Sequence, residues 1–193
     1  MPSRLKRSFY LRPTLKIARE LLGKRIVRNY RGKRLVGRIV EVEAYRGSID
    51  PASHAYHGKT PRNQVMFWEG GHLYVYFTYG MHYCANVVTR KAGIAEAVLI
   101  RGVEPIEGID VMQRFRGRNV SSVNLTNGPA KFCQAFGIKR SENGTSLLGN
   151  NIYIVAGEDI PRSAIGVSTR IGIARGTEKK WRFFVKGNAW VSK

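Results

Sequence analysis

Acidic residues are what this chain has fewest of relative to its size and charge. Against 33 Lys and Arg it carries only 13 Asp and Glu, so its net charge is +20. Self-repulsion of that size is relieved by a polyanion, with nucleic acid the first candidate and an acidic membrane surface the second. Cysteine is scarce too. Cys84 and Cys133 form no C-x-x-C pair, which excludes a disulfide framework and leaves two buried thiols in a reducing compartment. No apolar stretch reaches the length of a membrane span. Residues 1–12 read as a basic tail with no apolar run behind it, so not as a signal peptide. Walker and dinucleotide glycine loops are missing, as is G-x-S-x-G. The H-x-E plus P-C-x-x-C signature of zinc deaminases is also missing, which excludes one route to base modification.

What remains is a chain of 193 residues with 43% hydrophobic content, enough for one domain with a sizeable core. Its organising stretch is GRIVEVEAY, residues 37–45. Strict alternation predicts a strand, with Arg38, Val40, Val42 and Ala44 on one face. Ile39, Glu41, Glu43 and Tyr45 fall on the other. A solvated strand face is the bland reading of Glu-x-Glu, but its neighbours favour function: a long His-, Gly- and Pro-containing loop over 46–63, then an aromatic hairpin over 73–88. In that loop His54 and His57 lack a third ligand at a recognisable spacing, so no metal site is expected. In the hairpin Tyr74, Tyr76, Tyr79 and Tyr83 crowd together around Gly80. Core packing would explain such a hairpin, but Tyr79, Met81 and His82 fall at its tip, where exposed apolar groups on a basic protein suggest a wedge between bases.

Around these stretches, Pro13 opens a helix through Leu22, and residues 25–30 pair with 35–45 as a first hairpin. Residues 94–103 read as a buried strand carrying Glu96 and Arg101. Residues 105–115 read as a helix with Ile109, Met112 and Phe115 on one face. Pro129 opens a helix with Phe132, Cys133 and Phe136 buried, and 152–156, 169–174 and 181–186 read as strands. The expected class is α+β, a single domain over 1–193 with a mixed, largely antiparallel sheet, flanking helices and a protruding aromatic hairpin.

These parts suit an enzyme that draws a base out of DNA and attacks the bond behind it. Aromatic rings supply stacking walls for a flipped base. A carboxylate can deprotonate water and stabilise the positive charge that grows on the sugar. Spacing alone does not choose between Glu41 and Glu43.

The sequence resembles the alkyladenine (3-methyladenine) DNA glycosylase family along nearly its whole length. The resemblance is densest in GRIVEVEAY (37–45), SHAYHGKTPRN (53–63), MFWEGGHLYVYFTYGMHYCANV (66–87), LIRGVEPIEG (99–108), NGPAKFCQAFGI (127–138) and RFFVKGNAWVS (182–192). It implies that Glu43 is the general base and that Arg101 helps hold the nucleophilic water. It further implies that Tyr45 stacks on one face of the flipped base and His54 and Tyr76 on the other, with the His54 backbone on the base edge. Asn86 would discriminate against the guanine amino group, and Tyr79, flanked by Met81 and His82, would intercalate. His82 stands where many members carry Tyr, and the loop after His54 is shorter than in longer members. The family's implied activity is excision of 3-methyladenine, 7-methylguanine, hypoxanthine and ethenoadenine from duplex DNA by a monofunctional monomer. No metal or cofactor is implied, and the expected location is the cytoplasm or nucleoid, or the nucleus in a eukaryote. A non-catalytic RNA- or ribosome-binding module fits the charge equally well, but not the carboxylate and aromatic pattern. A peripheral membrane protein is disfavoured because no amphipathic helix with a basic face is evident.

Overall fold

A computed structural model describes residues 2–117 and 119–192. Its sheet is built on one long strand. β1 (Arg25–Tyr30) turns through Arg31 and Gly32, both at positive φ, into β2 (Lys33–Arg46). Such a turn matches the twist of the strands it joins. The sheet continues through β3 (Leu73–Thr78), β4 (His82–Thr89), β5 (Glu96–Glu107), β6 (Ile152–Val155), β7 (Ile165–Ser168) and β8 (Arg182–Val185). The strand order is β3-β4-β5-β2-β1-β6, with β8 joining β2 to β7. Every pairing among the described strands is antiparallel. One side of β2 is served first by β1 and then, at Glu41–Glu43, by β8; β5 runs along the other side.

Among the described residues four α-helices flank the sheet: α1 (Arg7–Tyr10), α2 (Thr14–Leu21), α3 (Ile109–Arg116) and α4 (Pro129–Ala135). The main core joins Ile17, Ala18 and Leu21 of α2, Met112 of α3 and Phe132 of α4 to Val42, Val87 and Val98 of the sheet. Each of these side chains except Ala18 contributes about 1.5–3 kcal/mol on burial. A second cluster of Ala55, Met66, Tyr74, Val88 and Ala97 lies beneath the long loop. Since Val87 and Val88, and likewise Val98 and Ala97, divide between the two clusters, the clusters cover opposite faces of the sheet. The loop over 46–63 is therefore packed. The N-terminal segment is tied down as well, although Arg4 and Lys6 remain exposed: Arg4 bridges to Val155 and Tyr10 is fully buried. α2 does carry Lys16 and Arg19 opposite an apolar stripe, contrary to expectation, but the stripe is spent on the core.

Several local expectations need correction. The alternation of β2 breaks around Glu41: Ile39 pairs with Val103, Glu41 with Gly102 and Val42 with Ile100. Val40 and Arg101 are thereby left without cross-strand partners, and Ile39 joins Val42 and Ala44 in the main core instead of sharing the carboxylate face. Residues 105–107 extend β5, and the helix begins at Ile109. Pro105 is tolerated because the register shifts beside it, between Val36 and Gly37 of β2. Ile109 is exposed, and Val111 joins Met112 in the core. Residues 169–174 form no strand; the strand lies just upstream at β7. The Ile171 N–H of that segment is turned toward the site described next.

Candidate active site

Register places the site. Tyr74 pairs with Asn86, Asn86 with Leu99, Leu99 with Glu43, and Glu43 with Arg182. These five residues form one row across β3, β4, β5, β2 and β8, on the face that carries Tyr74. Tyr76 pairs with Cys84 one pleat further on. The long loop covers this face and leaves a cavity of about 540 Å³, within the range of small-molecule sites. Tyr45, His54, Tyr76, Asn86, Arg101 and Tyr79 all line it.

Glu43 lies immediately behind that lining, with no exposed surface. Tyr45 Oη donates to its Oε2 at 2.8 Å and the Ile171 N–H to its Oε1 at 2.8 Å. Arg101 Nη1, at the cavity wall, stands 3.3 Å from Oε1. Burial first, and the adjacent Glu43 second, hold the Tyr45 hydroxyl far above its ordinary titration range, so it remains a donor.

Glu41 is equally buried but differently employed. Its Oε1 accepts from Arg101 Nε (3.1 Å), Arg182 Nε (2.7 Å) and Ser192 Oγ (2.8 Å), and its Oε2 from the Ser192 N–H (2.7 Å). Its acceptor capacity is filled, so Glu41 orients Arg101 and Glu43 is left to face the cavity floor. Gly102 permits this approach, since a Cβ there would come within 2.5 Å of the Trp190 carbonyl.

The opposite wall is aromatic. His54 Nδ1 lies 3.0 Å from the Tyr74 hydroxyl, and its ring meets Tyr76 edge-on with centroids 4.5 Å apart. Desolvation of its ring by packing against Tyr74 and Tyr76, then Arg62, push the imidazole down to about 4 although His54 as a residue is exposed, so it is neutral near pH 7. Burial and the neighbouring Cys84 keep the Tyr76 hydroxyl well above its ordinary range. The His54 carbonyl is already taken by Asn63 Nδ2 at 2.8 Å, which leaves its N–H as the backbone group available to a ligand. Asn86 Nδ2 donates to the Tyr74 carbonyl at 3.2 Å, so its side chain is anchored as well as placed in the cavity.

Tyr79 is 80% exposed at the cavity mouth and sits at φ 51°, in the left-handed region, next to Gly80 at φ 66°. That conformation is uncommon for an aromatic residue and turns the ring outward. Met81 and His82 do not share this cavity. They line a second groove of about 400 Å³ on the other side of the hairpin tip, with Tyr30, Phe115 and Lys139. Among the described residues no group of three or more His, Cys, Asp or Glu is arranged to hold a metal ion, and no helix is long and apolar enough to cross a membrane.

Sequence reading did not single out Asp50, Asn63, Arg170, Ile171, Arg182 or Ser192. Arg182 and Ser192 bound the last stretch of family resemblance, which was the available signal. Asn63 likewise ends the stretch 53–63 and works within its own loop, on His54 and Gly58, whereas Asp50, Arg170 and Ile171 act through contacts far away in sequence.

All 13 Asp and Glu side chains take part in ion pairs. The acidic complement is therefore engaged within the protein, and the surplus of positive charge is left for an external polyanion. An aromatic-lined cavity with Arg101 in its wall and the Glu43 carboxylate directly behind it, on so basic a chain, defines an enzyme that acts on nucleic acid bases. The family model of methylpurine-DNA glycosylase (MPG) matches residues 8–189, and the chain belongs to that family. A relative from Carboxydothermus hydrogenoformans, named "Putative 3-methyladenine DNA glycosylase", is 52% identical over 98% of both chains. Relatives of the same name from Chlorobaculum tepidum and Clostridium acetobutylicum are 49% and 46% identical, each over 98% of this chain and over 91% and 97% of their own. The chain is a DNA glycosylase, and DNA is its substrate.

Proposed function

We propose that the protein hydrolyses the N-glycosidic bond of alkylated or deaminated purines in duplex DNA. The intended lesions are 3-methyladenine, 7-methylguanine, hypoxanthine and ethenoadenine. It acts as a monomer, needs no metal or cofactor, and leaves an abasic site. The observation that carries this reading is the cavity lined by Arg101, Tyr45, His54 and Tyr76, with the Glu43 carboxylate 3.3 Å from Arg101 immediately behind that lining.

A flipped purine stacks between those walls. A water held by Arg101 loses its proton to Glu43 as its oxygen bonds to the anomeric carbon. The electron pair of the C–N bond leaves with the base, and the sugar remains as a hemiacetal. The carboxylate also opposes the positive charge that develops on the sugar. Electron-poor or cationic alkylpurines gain from stacking and cation–π attraction in an aromatic pocket. They are also better leaving groups, so a weak binding preference is amplified by the chemistry.

The test is a panel of duplexes with one lesion each, incubated with the protein and then treated with hot alkali. Strand cleavage at the lesion is expected. A protein that only binds nucleic acid would shift the duplexes in a gel and leave every strand intact.

A further inference from the structure

Arg170 and Asp50 form an ion pair that the mechanism above does not use. Both side chains are fully buried. Two bonds join them, Nη1 to Oδ2 at 2.6 Å and Nη2 to Oδ1 at 2.7 Å. Burying such a pair carries a desolvation cost that apolar residues of similar volume avoid, so stability alone explains it poorly.

Its surroundings suggest a better reason. Arg170 Nη1 also donates to the Ala44 carbonyl at 3.0 Å. The guanidinium is packed against two rings, 4.7 Å from the Tyr45 centroid and 5.1 Å from that of Trp181. Tyr45 lines the cavity and Arg170 does not, so the cation backs the ring on its far side. Asp50 also accepts the backbone N–H groups of Arg46 and Ala52, at 3.1 and 3.2 Å, which holds the start of the loop that bears His54. The residue after Arg170 is Ile171, whose N–H donates to Glu43.

We propose that Arg170 is a positioning residue. Pinned to Asp50, it fixes the Ile171 N–H and the Tyr45 hydroxyl, the two donors that hold the Glu43 carboxylate apart from Arg101. It thereby sets which way the general base faces. This inference rests on the reading of Glu43 as that base. The other charged and titratable groups around Glu43 are Arg101 on β5, Cys84 on β4, Glu41 on its own strand and Arg182 across on β8. With the two donors loosened, the carboxylate can rotate and its charged form is less favoured.

Arg170→Lys keeps the charge but replaces the two-pronged contact with a single point. Asp50→Asn loosens the same clamp from the other side and carries the test if the lysine variant does not fold. Single-turnover excision of one lesion is followed across pH, with melting and binding to an abasic-site analogue measured in parallel. The expected result is a rate about 10²-fold lower, an acid limb of the rate profile moved to higher pH, and unchanged affinity for the analogue. A rate that falls only with the folded fraction, its acid limb where the wild type has it, overturns the proposal. An inactive wild type on every lesion would instead overturn the glycosylase assignment of Glu43.

Discussion

Glu41 accepts two hydrogen bonds from Ser192, one from its N–H at 2.7 Å and one from its hydroxyl at 2.8 Å, across 151 residues of sequence. Ser192 Oγ in turn lies 3.3 Å from Arg101 Nη2. The C-terminal segment thus packs against Glu41 and Arg101 outside the cavity lining and, with Arg182, fixes the guanidinium that faces Glu43. Two carboxylates separated by one residue are given different work by what surrounds them. Glu41 is surrounded by cations and serine donors; Glu43 meets one guanidinium, one hydroxyl and one backbone N–H.

That difference separates two variants. Glu43→Gln cannot take a proton, and excision should fall by about 10²–10⁴-fold while binding to an abasic-site analogue persists. Glu41→Gln leaves the half-buried Arg182 without its countercharge and Arg101 with Glu43 alone, a change that costs about 3 kcal/mol. It should melt on the order of 10 °C lower, with a smaller loss of rate from a displaced Arg101. From the sequence alone Glu41→Gln would be expected to be mild; its burial changes that expectation for stability. Single-turnover rates and thermal melts on both variants decide the matter. Equal rate losses at unchanged melting would contradict the division of roles.

Charge predicts how undamaged duplex binds. With every carboxylate already in an ion pair, phosphate contacts should dominate affinity. Log K should then fall with log salt by about 0.9 for each phosphate neutralised. A titration in several salt concentrations measures the slope, and binding indifferent to salt would contradict a backbone-led interaction.

Much of this was legible before the fold was known. Period-2 alternation located β2, aromatic density located the β3–β4 hairpin, and Pro13 and Pro129 marked the starts of α2 and α4. What was not legible depends on partners distant in sequence. The register shifts on either side of Glu41 send Ile39 to the core and free Arg101 from the ladder, and nothing local in GRIVEVEAY announces them. Residues 169–174 look like a strand, yet the Ile171 N–H is used by Glu43 and Arg170 by Asp50. Tyr79, Met81 and His82 adjoin in sequence but face two different recesses, because the turn at Tyr79 and Gly80 rotates the chain between them.

His54 offers a pH measurement. Its imidazole is pushed from 6.5 down to about 4, by burial first and by Arg62 second. In that interval the unfolded chain binds the proton more readily than the folded one. The His54 contribution to stability is therefore complete above about pH 6.5 and is lost as pH falls toward 4. The exposure of the residue weakens the effect through solvent screening. NMR titration of the ring protons should find the low midpoint, and Arg62→Ala should raise it partway. A wild-type midpoint at the ordinary value would contradict the packing against Tyr74 and Tyr76.

Tyr79 combines an outward ring with a left-handed backbone. If the ring enters the gap left by a flipped base, it recovers roughly 1–3 kcal/mol of lost stacking. Tyr79→Ala should then weaken binding to an abasic-site analogue more than binding to undamaged duplex. Tyr79→Gly removes the ring while relieving the positive φ, so it should show the same binding loss without a stability loss. Equal weakening on both DNAs would assign Tyr79 to backbone contact.

Asn86 bears on selectivity. Guanine and hypoxanthine differ by one exocyclic amino group, and a cavity that only stacks purines would accept both. Rejection of guanine needs an obstacle where that amino group would lie. Asn86 is buried on β4, between Tyr74 on one neighbouring strand and Leu99 on the other, in the same cross-strand row as Glu43. Its amide nitrogen is tied to the Tyr74 carbonyl, so it cannot swing aside without giving up that bond. A tethered side chain makes a firmer obstacle than a free one. Truncation to Ser removes both the bulk and the tether, at about 1 kcal/mol for the lost hydrogen bond. The variant should therefore be slightly less stable, and its excision of guanine from mismatched pairs should rise relative to hypoxanthine. The ratio of the two single-turnover rates is the decisive quantity, since a damaged fold lowers both together. A proportional loss with the ratio unchanged would show that Asn86 ties the hairpin to its neighbour and leaves the choice of base to other residues.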